Sequence, residues 1–234
     1  MRYFWFLAGC ILGSAAQAVE PLRLVTVLPP ELPATAAHKR FIQDLFQRIK
    51  TPYTLEYRPA RRAIVEFKSG MFDGDAGRVS LFAAIYPEAI RVNPSFVTIK
   101  FYSLSMGNQL NIQNWADLRP YSVAYPRGIV AIESMLAPSE RLNPVNSVDV
   151  CMKMLKARRV DSCILMNALI SEREIEDARK MFTVQQFAEL SVHLWLEPKH
   201  RALASQLSAA LNQMQLDGSL QRYQHAILNP PEKP

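Results

Sequence analysis

Glycine is scarce in this chain, at 8 of 234 residues. Gly70, Gly74 and Gly77 come nearest to a cluster, but they lack the spacing of a phosphate-cradling loop, and no G-x-S-x-G elbow occurs. Cysteine is scarcer still, at 3, too few for a fold stapled by disulfides. The 4 histidines, His38, His193, His200 and His225, stand without the i, i+4 pairing that a helix offers a metal. Each reads as a surface or packing residue, so no metal site and no cofactor is expected. Beyond the first eighteen residues no apolar run approaches the ~20 residues of a membrane-spanning helix. Charge of one sign is also limited. The 27 basic and 21 acidic residues leave +6, spread along the chain rather than gathered in a stripe. That balance favours anions at the surface and argues against nucleic acid as a partner.

What is present belongs to a packed protein. The chain is 49% hydrophobic and 21% charged, with mean hydropathy of -0.03, which excludes disordered, collagen-like and membrane-bundle classes. Against ~150 residues per domain, the length corresponds to about one and a half domains. Residues 1–18 read as a cleavable export leader. Arg2 is the positive start, Tyr3 to Leu12 the apolar stretch, and Ala16-Gln17-Ala18 the small-x-small cleavage pattern. This predicts a periplasmic protein. Leu7-Ala8-Gly9-Cys10 also resembles a lipoprotein cleavage box that would put a lipid on Cys10, but hardly any apolar stretch precedes it. Export leaves Cys151 and Cys163 as an even pair in an oxidising compartment. They are either a disulfide, adding about 2–3 kcal/mol by closing so short a loop, or two buried small hydrophobes.

Local patterns give an α/β reading. Leu22 to Leu28 is a β-branched apolar run that stops at Pro29-Pro30. Phe41, Ile42, Leu45, Phe46 and Ile49 then recur at helical spacing, with Thr35 as the expected N-cap. Tyr53 to Tyr57 is a second strand, and Ala60 to Ser69 a second helix stopped by Gly70. Alternation of this kind implies parallel pairing through a βαβ unit. The grammar returns with the strand Tyr121 to Tyr125, a helix of about two turns opened by Gly128, a helical face of Val148, Cys151, Met152 and Leu155, and the strand Ser162 to Met166. Phe67 to Asp73 echoes Leu155 to Asp161, each a helix end, a tight turn and an Asp leading a strand. The echo favours two similar lobes over one continuous sheet. Leu203, Leu207, Ala210, Leu211 and Met214 mark a long final helix ended by Gly218. Leu220, Tyr223 and Ile227 mark a shorter one stopped by Pro230-Pro231.

Arg61, Arg62, Arg78, Arg91 and Arg127 fall at expected strand ends and turns, where open α/β sheets place ligands. Guanidinium groups there present planar forks of donors to a carboxylate or phosphate.

Arg58-Pro59-Ala60-Arg61-Arg62-Ala63, followed by Gly70 through Arg78, resembles the first lobe of bacterial family 3 extracellular solute-binding proteins. These are the polar amino-acid-binding components of ABC importers. Further matches follow in order at Tyr86-Pro87-Glu88 with Arg91-Val92, Asn114 to Leu118, Val123 to Gly128, Met154-Leu155 through Asp161, and Leu196 to His200 with Asp217 to Leu220. The resemblance covers nearly all of 22–228. It implies a two-lobe, type II periplasmic-binding-protein-like α/β fold hinged by two crossover strands. Lobe one would comprise 19–102 plus 190–234 and lobe two 103–189. A monomeric, non-catalytic protein would close on a small carboxylate-bearing or anionic solute, an amino acid or organic acid, and hand it to an inner-membrane ABC permease or a sensor. Carried over residue by residue, the ligand would bridge Arg62, Arg78 and Arg91 on lobe one and Tyr125, Arg127 and Asn167 on lobe two. Arg91 matches the arginine that grips a ligand carboxylate. The chain departs from the pattern in three places. Ile129 and Val130 follow Gly128 where a hydroxyl is usual, Met166-Asn167 replaces an acidic residue, and Pro29-Pro30-Glu31 supplies no stacking aromatic. The scaffold also carries periplasmic dehydratases of prephenate-like acids. On that reading Glu31, Asp75 or Glu133 would be the general acid. A third reading is a sensory or partner-binding module with a degenerate site.

Overall fold

A computed structural model describes residues 20–107, 110–137 and 139–229. The expected leader, Cys10 and the Pro230-Pro231 stop lie outside the described residues. The first half runs β1 (Leu22–Thr26), α1 (Pro33–Arg48), β2 (Tyr53–Tyr57), α2 (Ala60–Lys68), β3 (Gly74–Val79), α3 (Phe82–Ile85), β4 (Ile90–Arg91) and β5 (Val97–Ser105). The second continues β6 (Val123–Pro126), α4 (Val130–Leu136), β7 (Leu142–Val145), α5 (Val148–Lys156), β8 (Ser162–Met166), α6 (Glu172–Arg179), β9 (Thr183–Leu196), α7 (Arg201–Leu216) and α8 (Ser219–Leu228).

Two parallel βαβ layers result, as the alternation predicts. In one, β1 pairs in parallel with β2 and β3; in the other, β6 pairs in parallel with β7 and β8. The long strands β5 and β9 run antiparallel to each other from Val97 opposite Val192 to Ser105 opposite Thr183. At one end β9 joins β3, and at the other β5 joins β8. The architecture is thus a two-lobe α/β fold with β5 and β9 as the two crossing strands. Hydrogen bonding is nonetheless continuous, in the order β2-β1-β3-β9-β5-β8-β6-β7. That corrects the expectation of separate sheets, because the crossing pair belongs to both layers.

The sequence echo has a shared geometry. Gly70 and Arg158 both take positive φ, 76° and 54°, to turn out of α2 and α5. The Asp that follows then clamps the neighbouring strand. Asp73 donates its N–H to the Arg23 carbonyl and accepts the Arg23 N–H on its carboxylate. Asp161 does the same with Ser122. Each aspartate therefore sets the register of one parallel pair.

Two details differ from expectation, and one open alternative is decided. Helix α1 begins at Pro33 with Leu32 at the N-cap, because proline's fixed φ suits the first helical position. Thr35 consequently sits inside the first turn and donates its hydroxyl to the Pro29 carbonyl at 2.6 Å. Gly128 (φ 88°) turns the chain two residues before α4 starts. The cysteine alternatives resolve to a disulfide between Cys151 on α5 and Cys163 on β8, with Cα atoms 5.8 Å apart.

An aromatic cluster of Phe67, Phe72, Phe82 and Trp195 lies beneath α2, and the Trp195 indole donates to the Arg78 carbonyl. It fixes the start of α2 relative to β3. Buried Ile132 and Leu136 fix α4 in the same way.

Candidate functional site

Helix α2 leaves the carboxyl end of β2, and α4 leaves the carboxyl end of β6. These are the positions at which open α/β layers expose their loops to ligands. Arg61, in the first turn of α2, reaches Glu133, in the first turn of α4. Its Nη2 donates to Glu133 Oε2 at 2.5 Å across 72 residues of sequence. Tyr125, the third residue of β6, is buried. Burial first, and then the Glu133 carboxylate, push the Tyr125 hydroxyl's titration up, against Arg61 and Arg127. Arg61, Glu133, Tyr125 and Arg127 thus form one electrostatic group where the two layers face each other.

The other arginines on this side are already matched. Arg62 donates to Glu66 at 2.5 Å, and Arg58 binds both Glu66 and Glu56. The Arg62 bond, with Arg58 adding to it, holds the Glu66 carboxyl below its ordinary range despite burial. Arg78 lies in β3 with its side chain only 8% exposed. It donates to the fully buried Asp75 at 2.7 Å and to the Ala60 carbonyl, and stands over the Phe82 ring. That set of partners makes Arg78 the post on which α2 rests. Among the described residues Arg127 forms no ion pair.

The remaining expected ligand residues stand elsewhere. Arg91, on β4, lines an open groove of about 490 Å³ against α7 with Arg201, Ser205, Ser208 and Asn212. It does not meet Arg62 or Arg78 there. Asn167 directs its amide at the crossing strand β5. Its Oδ1 accepts from the Lys100 N–H at 3.0 Å, and its Nδ2 donates to the Thr98 carbonyl. The structure therefore brings Tyr125 and Arg127 together, leaves Arg62 at the rim, and commits Arg78 and Asn167 to the scaffold. Of the expected acids, Glu31 is exposed before α1, Asp75 is held by Arg78, and Glu133 is held by Arg61.

Sequence reasoning names Arg61 and Glu133 separately but does not pair them. The available signal is that both occupy the first turn of a helix following a strand. Three histidines are engaged in packing. His38 bonds the Ala76 carbonyl, His193 the Val92 carbonyl and Ser191, and His200 the Asp73 carboxylate. Among the described residues there is no cluster of three or more His, Cys, Asp or Glu suited to a metal, and no helix is long and apolar enough to cross a membrane.

No family model matches the chain, and no curated protein does. Solved structures do resemble it. The ligand-binding core of GluR0 complexed with L-glutamate superposes with a TM-score of 0.64 at 12% identity, covering 90% of this chain and 99% of that one. The ancestral amino acid-binding protein AncCDT-1, a precursor of cyclohexadienyl dehydratase, gives 0.62 at 14%, covering 89% and 96%. The arginine-, lysine-, histidine-binding protein ArtJ of Geobacillus stearothermophilus gives 0.61 at 13%, covering 92% and 97%. At such identities the likeness establishes the fold, that of two-lobe periplasmic amino-acid-binding proteins.

Proposed function

We propose that this chain is an exported, non-catalytic solute-binding protein. It captures a small carboxylate-bearing solute between lobe one, residues 19–102 plus 190–234, and lobe two, residues 103–189, as a monomer. The observation that carries the reading is that Arg61 of α2 reaches across to α4 at Glu133, while the buried Tyr125 stands third in β6 and Arg127, without an ion pair among the described residues, opens the turn that leads to α4. Two guanidiniums and a phenol suit a carboxylate, and closure strengthens such bonds by removing water. Arg62 lies at the edge of the same surface. The reading extends to delivery of the solute to an inner-membrane ABC permease, with a membrane sensor as the other partner of the same chemistry.

The dehydratase reading gains no support from the carboxylates. Asp75 is bound by Arg78 and the Gly77 N–H, Glu133 is bound by Arg61, and Glu31 is exposed ahead of α1.

Thermal-shift screening against amino acids and organic acids tests the proposal. A carboxylate that binds the folded chain raises the melting temperature, and the rise grows with the logarithm of its concentration above Kd. Arg127→Ala then weakens that solute by about 10- to 100-fold, the worth of one charge-assisted contact. A panel that produces no shift at millimolar excess overturns the reading. Undiminished binding in Arg127→Ala moves the site elsewhere. N-terminal sequencing of the exported protein checks cleavage after Ala18.

A further inference from the structure

We propose that Glu133 is a built-in competitor for the solute: in the ligand-free chain it occupies the place at Arg61 that a solute carboxylate takes. Capture is then the exchange of one carboxylate for another. The inference rests on the binding reading above and adds what regulates that same site.

Among the described residues, the Arg61–Glu133 contact is the ion pair that joins α2 to α4, one from each layer. All other ion pairs stay within one layer and its helices. Glu133 accepts from Arg61 Nη2 at 2.5 Å, a donor that a ligand carboxylate would also use. Among the described residues Arg61 has no second ion-pair partner, and Glu66 serves Arg58 and Arg62.

The contact is also weak enough to give way. The Arg61 side chain is 82% exposed and Glu133 24%, so water screens the pair. Exposed pairs shift an equilibrium by up to about fivefold, the equivalent of about 1 kcal/mol. A solute carboxylate enclosed by both lobes forms stronger bonds with the same donors. Displaced Glu133, already 24% exposed at its side chain, exchanges Arg61 for water.

The pair therefore acts as a latch that favours the closed arrangement when the cleft is empty and subtracts from solute affinity. Double electron–electron resonance between spin labels introduced through unnatural amino acids at exposed Lys39 on α1 and Lys153 on α5 tests the first half. In the absence of solute, Glu133→Gln and Arg61→Ala should each lower the closed-to-open ratio by up to about fivefold. The charge reversal Arg61→Glu with Glu133→Arg should restore it. Unchanged distances in both single variants overturn the latch. Calorimetric titration with L-glutamate, and with any acid found by screening, tests the second half. Glu133→Gln should tighten binding by up to about fivefold while Arg61→Ala weakens it. Equal weakening by both overturns the competition and makes Glu133 an ordinary ligand contact. If no carboxylate binds any variant, the solute-binding reading fails and the competition with it, while the distance measurement still decides whether the pair closes the empty chain.

Discussion

Arg61 and Arg78 meet the same helix start from opposite sides, and their exposure separates their roles. Arg78 supports α2 from beneath, through Asp75 and the Ala60 carbonyl, with its side chain 8% exposed. Removing one partner of a buried pair strands the other charge at a cost of about 3–5 kcal/mol. Arg78→Ala is therefore expected to lower stability by that amount in urea unfolding, whether or not solute is present. A loss confined to solute binding would return Arg78 to the ligand. Asp73 offers a second test at this scale. Burial opposes its ionisation, but Lys199, the Arg23 N–H and His200 outweigh that and hold its carboxyl well below the ordinary 3.8. A carboxyl depressed by folding contributes stability above its unfolded value, and that stability drains away as pH falls toward the folded one. Asp73→Asn should accordingly destabilise the chain at neutral pH and flatten the loss of stability below about pH 4. A parallel acid limb in the variant would show that Asp73 does not govern it.

Elements with one environment were legible, and elements that change environment were not. Strand β2 and helices α2, α5 and α7 each keep a single face toward one layer, so their spacing betrays them, and β8 is buried almost throughout, so it reads as one apolar run. Strand β5 alternates buried and half-exposed residues up to Lys100 and then stays buried to Ser105. Strand β9 likewise changes along its length, mixed from Thr183 to Ser191 and continuously buried from Val192. Neither holds one period, because each passes from a two-stranded crossing into a layered core. For this reason the crossing strands had to come from resemblance rather than periodicity. The candidate site was legible only in part for a related reason. Local pattern marks helix starts, but the Arg61–Glu133 contact depends on how two layers face each other. The disulfide is an element-scale feature, tying α5 to the β8 strand beneath it over 12 residues. Replacing both cysteines by Ala should cost about 2–3 kcal/mol. Thermal melting of the double variant checks this, and a value near zero would mean that packing alone holds α5 in place.

At the scale of the whole molecule, the two layers are joined through the crossing of β5 and β9. Between Thr98 and Lys100, β5 pairs with Ser191 to Glu189 on β9, whereas its pairing with β8 begins only at Phe101. Over the same stretch β9 has not yet reached β3, which it joins at Val192. A two-stranded ribbon with open sides bends more readily than the sheets at its ends, as expected of a hinge. Asn167 closes one of those sides. Its side chain takes the Lys100 N–H and gives to the Thr98 carbonyl, while its own N–H bonds the Lys100 carbonyl. Asn167 thus ties the end of β8 to the crossing ribbon through three hydrogen bonds. Asn167→Ala removes the two side-chain bonds and keeps the backbone one. Hydrogen exchange at the Lys100 amide should quicken by roughly two- to tenfold, the worth of a single bond of about 1 kcal/mol. The Leu24 amide in β1, far from the crossing in the strand order, should not change. Faster exchange at both amides would mean that Asn167 supports global stability, and no change at Lys100 would mean that the ribbon is held without it. The expected pattern, local release with β1 intact, would place the control of lobe movement in the crossing, away from the residues that meet the solute.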